Sequence, residues 1–219
     1  MDMRMGFHHS LEELRKDILL MGEEAARLIR QAVEALVRMD ADLADRTIAE
    51  DDAIDGTMLV IEERCLRLIA LQQPMGGDLR LIGMAMKMAT DLERVADHAV
   101  DIAKIVRRMS GTPPLKWLAN VQQMADIATA MLQESLQAYE KSDVRQAMAA
   151  AEQESEVDTL YSSFFFEAAG SMGTDEAANR QLVHLLMAAH FLERVADHAT
   201  NIGEEVIYMK TGHRRDLNV

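Results

Sequence analysis

Leu92–Ala99 reads LERVADHA, and Leu192–Ala199 reads LERVADHA again, eight identical residues displaced by 100 positions in a chain of 219. Chance does not supply such an identity, so the sequence is an internal duplication. The same offset pairs Arg80 with Arg180 and Ile102 with Ile202, while a slightly larger one pairs Ile54 and Asp55 with Val157 and Asp158. A unit of about a hundred residues that occurs twice excludes short-period solenoids. Around the first copy, Leu81, Ala85, Met88, Leu92, Val95, Ala99, Ile102 and Val106 recur at alternating spacings of four and three, the apolar stripe of a long bundle helix.

The rest of the chain reads in the same period. Ser10 with Glu13 has the form of a capping box, which predicts a first helix from there to about Arg38. Asp40 offers the next cap, and Ile54, Met58, Ile61, Cys65 and Leu68 form a stripe that stops before Pro74, Gly76 and Gly77. Asp78 is the expected cap of the third helix. The segment Ser110, Gly111, Thr112, Pro113, Pro114 ends it and is the one plausible linker. Beyond it, helices are expected over Leu115–Glu140, from a Ser142 cap to about Gly170, and from a Thr174 cap to about Met209. The predicted fold is all-α, two tandem three-helix bundles over residues 1–110 and 115–219 related by the internal repeat.

Composition agrees with helices and narrows function. Aromatics are 4% and methionines number 17, which starves a sheet and fills slim helical cores. Lys and Arg total 23 against 37 Asp and Glu, so a net charge of −14 argues against nucleic-acid binding through phosphate neutralisation. Cys65, the single cysteine, lies on an apolar stripe, excludes an internal disulfide, and fits a reducing cytoplasm. No apolar run has the length of a membrane span and the first nine residues lack a signal-peptide core, so a cytoplasmic protein without membrane insertion is expected.

The duplicated block also carries the candidate chemistry. Glu93, Asp97 and Asp101 stand four apart, and Glu193, Asp197 and Asn201 repeat them with one amide in place of the third carboxylate. On a helix such residues stack along one side and repel, costing a few tenths of a kcal/mol per pair. In the heptad defined by the Leu92 stripe they fall at b, f and c, so they are expected to face outward, away from the seam. The neighbouring helices carry Asp51 with Asp55 and Glu154 with Asp158 at the same step. If the pairs converge, the oxygens suit iron, manganese, magnesium or calcium rather than structural zinc. Six Asp/Glu-x-x-x-Asp pairs occur, and for one such as Glu13 with Asp17 a solvated face is the better reading. Recurrence in both halves sets Glu93, Asp97, Glu193 and Asp197 apart. His98 and His198 follow the second carboxylate of each stripe and point about 100° away from it.

Other features read as structure. Met84, Met86, Met88 and Met187 are expected to fill core space. Phe164, Phe165 and Phe166 sweep too wide an arc for one core contact, leaving some surface for inter-bundle packing or a partner. Arg94 and Arg194 are placed to pair with Asp97 and Asp197 three residues on. Standard catalytic constellations are missing from the sequence, including the Glu-x-x-His pair of a ferritin-like di-iron enzyme. A metal-free helical interaction module is the other alternative.

The stretch QQPMGGDLRLIGMAMKMATDLERVADHAVDIA, Gln72–Ala103, and LERVADHATNIGEEVIYMKTG, Leu192–Gly212, resemble the two halves of the PhoU family of phosphate-transport accessory proteins. The resemblance covers essentially the whole chain. It implies two three-helix bundles that hold multinuclear metal clusters through Glu/Asp-x-x-x-Asp motifs, iron foremost, and that form a homodimer. Carried onto this sequence, the ligands are Glu93, Asp97 and Asp101, and Glu193, Asp197 and Asn201. Asp51, Asp55, Glu154 and Asp158 are the matching pairs on neighbouring helices. The neutral Asn201 implies a smaller or weaker second cluster. Also implied is a non-enzymatic negative regulator of the phosphate-starvation response, peripheral to the membrane, whose partners are the phosphate ABC transporter ATPase subunit and a sensor histidine kinase.

Overall fold

The computed structural model describes residues 3–109 and 117–217, all of its regular structure α-helical. The expected linker at Ser110–Pro114 and the boundary it marks lie outside the described residues. In order the helices are α1 (Met3–Arg38), α2 (Ala41–Ala49), α3 (Asp51–Gln72), α4 (Gly77–Met109), α5 (Leu118–Lys141), α6 (Val144–Ala151), α7 (Glu154–Ser171) and α8 (Glu176–Thr211). Each half thus contains the three expected long helices plus one short one, in tandem.

The helix starts differ from the sequence reading for local reasons. Ser10 caps nothing: it lies inside α1, where its hydroxyl donates to Gly6 O at 3.1 Å. The apolar stripe already begins at Phe7 and continues through Leu11, Leu14 and Ile18, so packing carries the helix past the serine. Asp40 does cap, accepting from Leu43 N at 2.9 Å, but the helix it opens is short and Glu50 separates it from α3. Arg27 of α1 holds that corner by bonding both Glu24 and Glu50. In the second half Ser142 is the left-handed end of α5, at φ 51°, and Asp143 beside it caps α6. Met39 and Asp40 have the same geometry in the first half, with φ 54° at Met39. Asp175 rather than Thr174 caps α8, accepting from Ala177 N and Ala178 N. Asp78 lies within the first turn of α4, after Gly76 has reversed the chain at φ 60°.

The long helices α1, α4, α5 and α8 pack on one another in the order α1–α4–α8–α5, and α1 also touches α5. Their buried side chains form one continuous apolar core through both halves. The eight stripe residues of α4 confirm the period, with seven buried and Leu81 packed at the edge. Cys65 is buried, as expected. Phe164 is in the core while Phe166 is 74% exposed. Met84 and Met88 are buried and Met86 lies against the core, but Met187 is an exposed residue of α8. α3 rests on α4 and α1, and α7 rests on α8 and α5.

Candidate functional site

That arrangement places the carboxylates. The heptad reading put Glu93, Asp97, Glu193 and Asp197 on an outward face, and the structure corrects this. Their side chains are only 15%, 35%, 23% and 19% exposed. α4 turns one side to α1 and α8 and another to α3, and α8 does the same toward α7, so the side opposite the main seam lies under a third helix.

In the first half Asp51 and Asp55 of α3 are brought within electrostatic reach of Glu93 and Asp97 of α4. Burial pushes Asp51 above the usual carboxylate range, and the charges of Asp55 and Asp97 add to it against the opposing Lys104. Glu93 is raised by burial, then by Asp97, Asp55 and Asp51. In the second half Glu154 and Asp158 of α7 meet Glu193 and Asp197 of α8. Burial, a hydrogen bond to Asp197 and the charges of Asp197 and Asp158 push Glu154 up to about 7. Thr200 Oγ1 donates to Glu154 Oε2 at 3.5 Å. Asp158 and Glu193 are raised too, first by burial and then by Asp197. Arg94 and Arg194 pair with Asp97 and Asp197 at 3.0 and 2.6 Å, as their spacing predicts.

The last residue of each stripe behaves differently. Asp101 pairs with Lys104 at 3.2 Å on its own helix. Asn201 crosses to the other half and donates to Asp91 Oδ1 at 3.3 Å, beside His198 Nδ1 at 2.9 Å from the same oxygen. The stripe drifts about 40° per four-residue step on a straight helix, which carries its third member toward the edge. His98 and His198 point into the α4–α8 contact, with ring centroids 5.6 Å apart. Burial, and then His198, lowers His98 to about 4.

In their chemistry the donors would suit a cation. The set is rich in oxygen and half-buried, and Asp51 Oδ1 is buried without a hydrogen-bond partner. Glu193 Oε2 is buried likewise, 3.1 Å from His190 Nδ1 but not aligned for a hydrogen bond. Among the described residues no three His, Cys, Asp or Glu side chains are already gathered as a metal shell; the arrangement is of pairs facing pairs. Two neighbours had escaped the sequence reading: His190, three residues before Glu193, and Tyr161, whose ring centroid lies 5.9 Å from the imidazole. The i, i+3 spacing was the available signal for the histidine.

The PhoU domain model matches residues 18–106 and 121–206, once in each half. The chain belongs to the PhoU family. A phosphate-specific transport system accessory protein PhoU homolog of Clostridium acetobutylicum is 38% identical over 213 residues, 97% of each chain. One of Rhizobium meliloti is 36% identical over 207 residues, 94% of this chain and 87% of that one. Among solved structures, the PhoU phosphate transport system regulatory protein of Streptococcus pneumoniae superposes with a TM-score of 0.89 at 30% identity, over 96% of this chain and 99% of that one. PhoU from Pseudomonas aeruginosa gives 0.91 at 32% identity, over 94% and 100%. As a PhoU-family member the chain has its duplicated block in both matched segments, with all eight paired carboxylates inside them.

Proposed function

We propose that the chain is a non-enzymatic regulatory adaptor of phosphate homeostasis, which holds down the phosphate-starvation response and modulates phosphate uptake. The observation that carries this reading is the match, along nearly the whole chain and in fold, to proteins named as phosphate-transport accessory or regulatory proteins. Its partners on this reading are the phosphate ABC transporter ATPase subunit, a sensor histidine kinase and a second copy of the chain. It works in the cytoplasm, peripheral to the membrane. None of the described helices is long and apolar enough to cross one, which is compatible with that place.

The converging carboxylates support metal binding. Asp51, Asp55, Glu93 and Asp97 would hold one site, and Glu154, Asp158, Glu193 and Asp197 the other, with Asp101 and Asn201 at their ends. A bound cation, iron first and manganese, magnesium or calcium after it, supplies the positive charge that offsets repulsion among half-buried acids.

Deletion of the gene tests the regulatory reading: alkaline phosphatase is expected to rise in phosphate-replete medium, and wild-type levels would overturn it. Capture of the ATPase subunit and the kinase by the tagged protein tests the partners. For the metal, protein purified without chelator is assayed for bound iron and manganese. Asp97→Ala with Asp197→Ala is expected to lose the metal while circular dichroism shows helicity intact.

A further inference from the structure

The two carboxylate sets come from one duplicated unit, yet their surroundings are not the same. At the position of Thr90 in the first repeat the second has His190, and at that of Met58 it has Tyr161. His190 Nδ1 lies 3.1 Å from Glu193 Oε2, the oxygen that is buried without an aligned hydrogen-bond donor. Among the described residues it is the one imidazole within ion-pair distance of any of the eight carboxylates. Tyr161 stands beside the ring. Among the described residues the first set has no imidazole there; Glu93 has Arg94 Nε at 3.4 Å, and Lys104 acts on Asp51 and pairs with Asp101. The counterpart of Lys104 is Glu204, which accepts from Leu217 N at 2.7 Å.

Resting on the metal-binding reading above, we propose that His190 is a ligand of the second set alone, so that the two repeats hold cations of different class. Carboxylate oxygens alone suit a hard cation such as Mn²⁺ or Mg²⁺, whereas oxygens plus an imidazole nitrogen favour Zn²⁺ or Fe²⁺. The neutral Asn201, turned away to Asp91, removes one oxygen from the second set, and His190 restores a donor of softer character.

The test uses the full chain stripped with EDTA and titrated calorimetrically with Zn²⁺ and with Mn²⁺ at one pH. Asp197→Ala isolates the first set and Asp97→Ala the second. Because Zn²⁺ binds most sites more tightly than Mn²⁺, the quantity that decides is the ratio of the two affinities. That ratio is expected to be about tenfold or more higher at the second set, on the scale by which single groups around a metal alter affinity. In the Asp97→Ala background His190→Thr should cut Zn²⁺ affinity about tenfold and leave Mn²⁺ affinity unchanged, with His190→Gln as a second variant of similar length. The His190 imidazole nitrogens should shift in ¹⁵N spectra on adding Zn²⁺, a signature that a merely structural histidine would not show. Equal ratios at the two sets, or an unmoved ratio in both His190 variants, would overturn the assignment while leaving metal binding standing. Binding of neither ion by the wild type would overturn the metal reading itself and this proposal with it.

Discussion

Glu154 shows what burying like charges does to a single side chain. Its carboxyl is pushed from 4.5 up to about 7, by burial first and then by Asp197 and Asp158. A raised carboxyl stabilises the fold in its protonated form, so that contribution is complete below pH 4.5 and drains away as pH rises through about 7. Metal-free protein should therefore lose stability between about pH 4.5 and 7, by about 1 kcal/mol once solvent screening is discounted. Glu154→Gln should flatten that slope, and melting curves at several pH values with EDTA present are the measurement. The stripe spacing made Glu154 visible in the sequence. Its ionisation was not legible there, because desolvation depends on α7 lying against α8.

At the scale of the element, each half relies on a left-handed residue followed by a capping aspartate: Met39 with Asp40, and Ser142 with Asp143. The aspartate carboxylates satisfy backbone N–H groups at the starts of α2 and α6. Asp40→Ala and Asp143→Ala should each cost about 1 kcal/mol in urea unfolding, with no change in metal content. A midpoint unmoved by either change would show that the short helices are held by packing alone. Ser10 is the instructive contrast, since it has the capping pattern and sits mid-helix. A cap motif predicts an end only where the flanking apolar stripe also ends, and here Phe7 carries it upstream.

For the whole molecule, the continuous core predicts one cooperative unfolding transition rather than two. Glu205 of α8 sharpens this. Its side chain is 2% exposed and is ion-paired with Lys87 of α4, with Arg214 at 3.7 Å. Lys87→Met removes one partner from a buried carboxylate in the other half and should cost about 2–3 kcal/mol. Adding Glu205→Gln should recover much of that, and denaturant unfolding followed by circular dichroism tests both the loss and its reversal. Two separated transitions in the wild type would contradict the shared core.

The sequence by itself determined the duplication, the all-α class, the stripes that became α3 and α4, and the paired carboxylates with their arginine partners. These follow from local periodicity and repetition, which need no knowledge of neighbours. Tertiary structure alone decided that the acids of α4 and α8 lie half-buried under α3 and α7, and that Asn201 and His198 reach across to Asp91. A single helix has several sides, and its own period can name the side that is apolar. Which of the others becomes covered depends on where the remaining helices come to rest.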